Sequence, residues 1–442
     1  MVDISPFHGI RFNPEKVRDL ADAVTPPYDV IPGDKQKAYY EQHPYNVIRL
    51  DKNMSTDSDT PEDNPHTRAA GHFKKWMDEK ILIREEEPSF YVTTVRFDIG
   101  GKPVTRTGLI AAVRLEPFSS GAILPHEETF SKVKSERLAL MKACHANFSH
   151  IFSIYSDQGS VSGILESAVK NTSPLQAFTD DAGHAHKVWK ITSPDIHEKV
   201  KNAFIKQRLF IADGHHRYET ALNYRQYMKD NANDFDDNHP ANFIMMYLCD
   251  INDPGLIILP THRLLSGIPE AERKKLISDA SQYFDIETIA ISGENTTAAM
   301  DTLEGKMREN SSNHVIGLVM KNEPAYYLMK LKTGAMESLF KNEIPAPLMG
   351  LDVTILTRLV LMKLMGLDQK NLDDESLIHY TSRIDDAVTS VQKEENDVAF
   401  ILNPPSNDQV RQIAEAGYTM PRKTTFYYPK VVTGQVMNRL DR

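Results

Sequence analysis

Cysteine is nearly absent from this chain of 442 residues: Cys144 and Cys249 are the two it has, and neither forms a CxxC pair. A disulfide scaffold or zinc ribbon is therefore excluded as the organising device, and the low count suits a reducing compartment. Long uncharged apolar runs are missing too. The most apolar stretch, residues 348–367, carries Asp352, Arg358 and Lys363. It reads as a buried amphipathic helix and not as a membrane span. The start, Met1-Val2-Asp3-Ile4-Ser5-Pro6, lacks a cationic segment followed by an apolar run. No secretory signal is expected, and the expected location is the cytoplasm. Positive charge is not in excess: the net charge of −10 at pH 7 argues against a nucleic-acid coat or an anionic membrane as partner. No internal repeat and no HExxH are found.

What is present is an ordinary globular composition, 40% hydrophobic and 25% charged. The length predicts two or three units. The expected division is an N-terminal region over 1–268 and a C-terminal α/β region over 269–442. The opening is punctuated by proline, and Pro26-Pro27-Tyr28-Asp29-Val30 predicts an extended segment. The polar stretch 51–66 predicts a loop, and 67–82 a helix. Residues 90–97 and 104–115 alternate around Gly100-Gly101, which predicts a hairpin. Helices are expected over 135–144 and 216–229, and strands over 204–212, 243–249, 256–259 and 397–402. Ser406-Asn407-Asp408-Gln409 matches a capping box, and Gly417 sits where that helix should stop. The stretch 269–395 mixes helix and strand signals without a chemical signature. The fold class is α+β, or mixed α/β.

The segment with the clearest chemical logic is Leu209-Phe210-Ile211-Ala212-Asp213-Gly214-His215-His216-Arg217. An apolar strand stops at a glycine turn and a helix starts at once. The first N–H groups of that helix lack internal acceptors and favour an anion. Gly214 permits close backbone approach, and Arg217 offers a planar fork for phosphate oxygens. His215 and His216 can donate to phosphate or stack on a base. Asp213 can cap the helix or hold a metal ion. The same residues would also serve a helix start with no ligand, with Asp213 as N-cap and the histidines as polar surface. Zinc is the poorer match, because adjacent histidines seldom present two nitrogens to one ion.

Other polar groups stand apart along the chain. Pro125-His126-Glu127-Glu128-Thr129 places a histidine beside carboxylates, a pairing that suits a general base. Arg422-Lys423-Thr424-Thr425 is a basic-hydroxyl cluster able to grip phosphate, and Thr261-His262-Arg263 is a similar one. Taken alone, the Glu-Glu pair is more simply a solvated one, and the basic clusters are compatible with solvated charged turns. Pro26 to Asp29 can shape a wall of a site. Cys144 and His145 are neighbours on a helix and face apart, so Cys144 reads as a buried thiol.

Three segments together resemble the free serine kinases of the ParB/sulfiredoxin-like superfamily. IADGHHRYETAL at 211–222 resembles their phosphate-binding motif, LPHE at 124–127 the stretch carrying their catalytic glutamate, and the segment ending in PRKTT their C-terminal P-K-T-T motif. The whole chain also resembles a large bacterial family related to those kinases, through PPYDVI, LPHEET, IADGHHRYETAL, LPTHR and MPRKTTFYYPK in that order. The resemblance implies a ParB/sulfiredoxin-like core within 1–268, with the end of 269–442 contributing to the site. It implies a kinase acting on the hydroxyl of free L-serine, with ADP or ATP as donor and Mg²⁺ as metal. Glu127 would be the general base, with His126 beside it. Asp213, Gly214, His215, His216 and Arg217 would bind the donor's phosphates or the metal, the metal falling to Asp213. Lys423, Thr424 and Thr425 would complete the phosphate grip. Two departures from the compact kinases stand out: a longer spacing from Glu127 to Asp213, and Tyr218 where a tryptophan can occur. A ParB-like nucleotide-dependent switch is the alternative. It is weakened as a DNA-binding protein by the negative charge. Sulfiredoxin-like repair needs a cysteine in the turn, where this chain has His215.

Overall fold

The computed structural model describes residues 1–125, 127, 131–291 and 296–442. The chain forms two compact units. The first takes in Met1–Pro125, Thr129–Ile257 and Tyr427–Arg442; the second takes in His126–Glu128 and Ile258–Phe426. Both mix helices and sheets, as the α+β expectation requires. No helix among the described residues is long and apolar enough to cross a membrane.

A nine-stranded sheet organises the first unit. Its strands are β1 (Ile4–Ser5), β2 (Phe90–Ile99), β3 (Lys102–Arg114), β4 (Ile123–Leu124), β5 (Ile151–Tyr155), β6 (Gln176–Thr179), β7 (Ala185–Ile191), β8 (Leu209–Asp213) and β9 (Phe243–Asp250). They run in the order β4-β8-β5-β9-β3-β2-β7-β6, with β1 also paired to β3. The β2–β3 hairpin turns on Gly100 and Gly101 at φ 57° and 74°, values that suit glycine and match the twist of the flanking strands. The pairs β4/β8 and β5/β9 are parallel, and the other pairs are antiparallel. Residues Leu109 to Val113 of β3 are buried without alternation, as expected of a strand covered on both faces.

Four helices matter for the site: α1 (Pro65–Asp78), α2 (Ser131–Cys144), α3 (Pro194–Phe204) and α4 (His215–Asn231). Helix α1 begins two residues before the expected 67 and stops at Asp78, short of the expected 82. Asn64 and Thr67 form a reciprocal cap, Pro65 occupies the first turn, and Ala69, Phe73 and Trp76 make the buried stripe. Expectations fail locally, and Tyr28–Val30, expected to be extended, forms a single 3-10 turn. Phe204 was expected in a strand but closes the last turn of α3, where it packs edge-on against Tyr155. Asp51 was expected in a loop but is buried, ending a short helix over Ile48–Asp51.

The second unit holds a six-stranded, wholly antiparallel sheet. Its strands are β10 (His262–Leu265), β11 (Phe284–Ala290), β12 (Val315–Met320), β13 (Ala325–Leu331), β14 (Ile378–Thr381) and β15 (Val398–Leu402). Their order is β11-β13-β12-β15-β10-β14. Helix α5 (Asn407–Glu415) carries the expected capping box between Ser406 and Gln409, and Gly417 follows it at φ 78°. The single helix expected over 348–367 is broken. Ala346–Met349 ends at Gly350, and after a short turn of helix the segment Ile355–Leu364 winds as a π-helix. Ile355, Leu356, Leu359, Val360 and Leu361 are buried all the same, so burial and not continuity was the legible property.

Candidate functional site

Strand β8 carries a register shift between Ile211 and Asp213. Such a bulge re-aims the residue that follows it. Gly214 then takes φ 94° and ψ 29°, and α4 begins with no side-chain cap. A Cβ at Gly214 would lie 2.9 Å from Arg217 Nε. Glycine is therefore required twice, for the backbone angle and for the room. Gly214→Ala should cost about 2 kcal/mol of stability, the typical penalty of a non-glycine residue held in this region. A urea midpoint equal to the parent's would refute that.

Arg217 does not point outward. Its guanidinium is buried, donating to the carbonyl of His150 and, at 2.6 Å, to Asp213 Oδ2. Among the described residues its Nε has no acceptor. The other oxygen of Asp213 accepts from Lys430 Nζ at 2.7 Å. Burial alone would raise the Asp213 carboxyl. The charges of Lys430 and Arg217 outweigh it and hold the group well below the usual carboxylate range. Both carboxylate oxygens thus face cations at hydrogen-bond distance. A divalent metal on Asp213 would meet two positive charges, so this position suits an anion better than Mg²⁺.

The surroundings of this turn include residues that sequence reasoning did not assign. Arg137, on α2, donates to the backbone oxygen of Asp51 at 2.6 Å and to its Oδ1 at 2.5 Å. It also stacks over the ring of Tyr28, in the PPYDVI segment, at 4.1 Å. Among the described residues, Asp51 Oδ2 has no hydrogen-bond partner although it is buried. The Tyr28 hydroxyl is pushed up to about 12, mainly by burial. His150 is pushed down to about 3 by burial and then by the Arg217 charge, so it is a neutral imidazole here. His215 is buried and His216 half-buried at the start of α4. Tyr218 serves the fold: it is buried, stacks on Phe118 at 5.2 Å and donates to the Glu116 carbonyl at 2.7 Å. Of the missed residues, Tyr28 and Lys430 stood inside motifs that the sequence singled out, PPYDVI and MPRKTTFYYPK.

The other motif residues belong to the second unit. Glu127 Oε1 accepts from the backbone N–H of Lys423 at 2.7 Å, and Lys423 holds φ 56°. The Thr424 hydroxyl donates to the Pro421 carbonyl. Thr425 is half-buried beside it. Arg263, buried on β10, clamps this turn by donating to the carbonyls of Lys423 at 2.9 Å and Arg422 at 3.3 Å. Burial pushes its guanidinium down to about 10. A cavity of about 270 Å³ opens beside it, walled among others by Thr261, Arg263, His314, Asp352, Asn403 and Thr424. Glu127 of LPHE, Arg263 of LPTHR and the PRKTT turn, far apart in sequence, therefore meet in the second unit, while DGHHR belongs to the first. His126 lies outside the described residues. The two thiols offer no nucleophile: burial pushes Cys144 up to about 12 and Cys249 well above its ordinary value.

A family model described as a protein of unknown function, DUF1015, matches residues 4–354. No curated protein matches significantly. Among solved structures, a free serine kinase in complex with AMP aligns at 12% identity and TM-score 0.32, over 69% of this chain and 83% of that one. SbnI from Staphylococcus aureus aligns at 10% identity and TM-score 0.34, over 73% and 86%. A conserved hypothetical protein from Pyrococcus furiosus aligns at 13% identity and TM-score 0.32, over 70% and 89%.

Proposed function

Since the chain belongs to the DUF1015 family of proteins of unknown function, we propose its activity from its own residues: a nucleotide-dependent small-molecule kinase built on a ParB/sulfiredoxin-like core. The acceptor in this reading is the hydroxyl of free L-serine, and the donor is ADP or ATP. The observation that carries it is the start of α4, a helix without a side-chain cap, with Arg217 and Lys430 both braced by Asp213 beside it. Helix N–H groups and two fixed cations are the parts that neutralise phosphate.

Phosphoryl transfer needs positioning and charge neutralisation more than covalent chemistry by the protein. The reading assigns the donor's phosphates to Gly214, His215, His216 and Arg217, with Lys430 added. Asp213 orients the cations. Glu127 takes the proton from the acceptor hydroxyl as its oxygen attacks phosphorus, and the nucleotide leaves one phosphate shorter. Lys423, Thr424 and Thr425 shape the turn that holds Glu127, through the Lys423 N–H. Mg²⁺ would serve to neutralise the donor's phosphates, and no role on Asp213 is assigned to it.

Phosphorus NMR of the purified protein with Mg²⁺, L-serine and either ADP or ATP tests the reading. A new phosphomonoester resonance that requires serine is the expected result. Nucleotide binding without product from either donor would sink the kinase and favour the ParB-like switch. No nucleotide binding would sink both.

A further inference from the structure

The first unit holds a second constellation, used by none of the chemistry above. Strand β6 ends at Thr179 and β7 begins at Ala185. The turn between them is closed by the Gly183 N–H on the Asp180 carbonyl at 3.0 Å, with Gly183 at φ 82°. The sequence there reads Asp180-Asp181-Ala182-Gly183-His184-Ala185-His186. Histidines two apart on extended chain project to one face. Both are buried, at 7% and 4% exposure.

The carboxylate between them is aimed. Asp180 Oδ1 accepts the backbone N–H groups of Ala182 at 3.0 Å and His184 at 2.8 Å. That fixes the group and turns Oδ2 toward both rings, 3.1 Å from His184 Nδ1 and 2.8 Å from His186 Nε2. The three potential ligand atoms lie within 4.8 Å of one another. The rings are held as well. The second nitrogen of His184 sits 2.8 Å from the Tyr428 hydroxyl. Phe178 stacks flat on His186 at 4.7 Å.

We infer that Asp180, His184 and His186 form a site for a divalent cation of the zinc class. Two imidazoles and one carboxylate are a zinc donor set, with a water completing four-coordination. Magnesium and calcium prefer oxygen ligands throughout and suit the site poorly. The surroundings are those of a built metal site: a ligating histidine anchored through its other nitrogen, and a carboxylate oriented by hydrogen bonds. The bound cation would clip the hairpin turn to the segment carrying Tyr428. The inference is independent of the kinase reading, and its test does not read turnover.

The test uses tag-free full-length protein stripped with a chelator, titrated with Co²⁺ and followed by visible absorption. We expect one equivalent of Co²⁺ per chain with a tetrahedral spectrum, displaced by Zn²⁺ and not by Mg²⁺. His186→Gln should weaken binding on the order of 100-fold or more, beyond the range set by outer partners. Tyr428→Phe leaves the three ligands in place and should weaken it by about 10-fold. It keeps the test decisive if the histidine variant fails to fold. Absence of a tetrahedral spectrum in the parent would overturn the inference. So would parental affinity in a folded His186→Gln, or in Tyr428→Phe if the histidine variant does not fold.

Discussion

Asp213→Asn will lower the stability of the protein by about 3 kcal/mol, near the low end for breaking a buried ion pair. The reason lies in what the carboxylate holds. One oxygen faces Arg217 at 2.6 Å and the other Lys430 at 2.7 Å, so a neutral amide leaves two cations uncompensated. The low end applies because Asp213 and Lys430 keep 16% and 13% exposure, and water screens part of the loss. The effect depends on pH with a definite sign. The carboxyl is depressed in the folded state, so its contribution is fully present above its unfolded value of about 3.9. That contribution is lost as pH falls through the folded value. Parent and variant should therefore converge as pH falls below about 4. Inorganic phosphate should recover part of the variant's loss, because an anion can occupy the vacated negative position. Urea unfolding at neutral and acid pH reads all of this; an unchanged midpoint at neutral pH would show that the two cations need no counter-charge.

Glu127→Gln should cut turnover by about 10²- to 10⁴-fold, the usual worth of a positioned general base. The amide keeps an oxygen able to accept the Lys423 N–H, the bond of 2.7 Å that fixes this side chain. The turn should survive, and nucleotide affinity should stay within a few-fold of the parent, a margin of under about 1 kcal/mol. A loss of rate with intact binding is the signature of a group that acts only in the reaction. Parental turnover in Glu127→Gln would remove Glu127 from the role, while lost nucleotide binding would make it a structural brace of the turn.

The parts of the site that were legible are those written in consecutive residues. Asp213-Gly214-His215 announced a strand stop and a helix start because glycine permits an angle that other residues resist. The capping box at Ser406 was legible for the same local reason. The partners were not. Lys430 reaches Asp213 across 217 positions, and Arg137 reaches Asp51 across 86, distances over which no periodicity speaks. Asp51 was misread because polar neighbours on one side suggested a loop, while Leu50 on the other marked the buried end of a helix. Arg217 looked like an outward fork and is buried, since its charge is matched by Asp213 and not by solvent. The histidine pair at 184 and 186 did leave a signal, two imidazoles on one strand face behind an aspartate turn. Of the six-stranded sheet the strand at 397–402 was read, and the rest stayed unread where strands such as β11 bury few of their residues and alternate poorly.

The route of the chain has a consequence for its synthesis. The first unit is left at Ile257 and rejoined at Tyr427. On the ribosome, the sheet of the first unit emerges early, yet Lys430 is translated only after the whole second sheet. At roughly 5–20 residues per second, the stretch between takes on the order of ten seconds or more to appear. During that interval the nascent chain carries Arg217 and Asp213 without Lys430. The early-emerging part must wait without its closing segment Tyr427–Arg442, an opening for chaperone capture, while the second unit can close from an almost unbroken stretch. A slow codon or stalled ribosome between 258 and 426 would lengthen that wait without changing a residue of the finished protein.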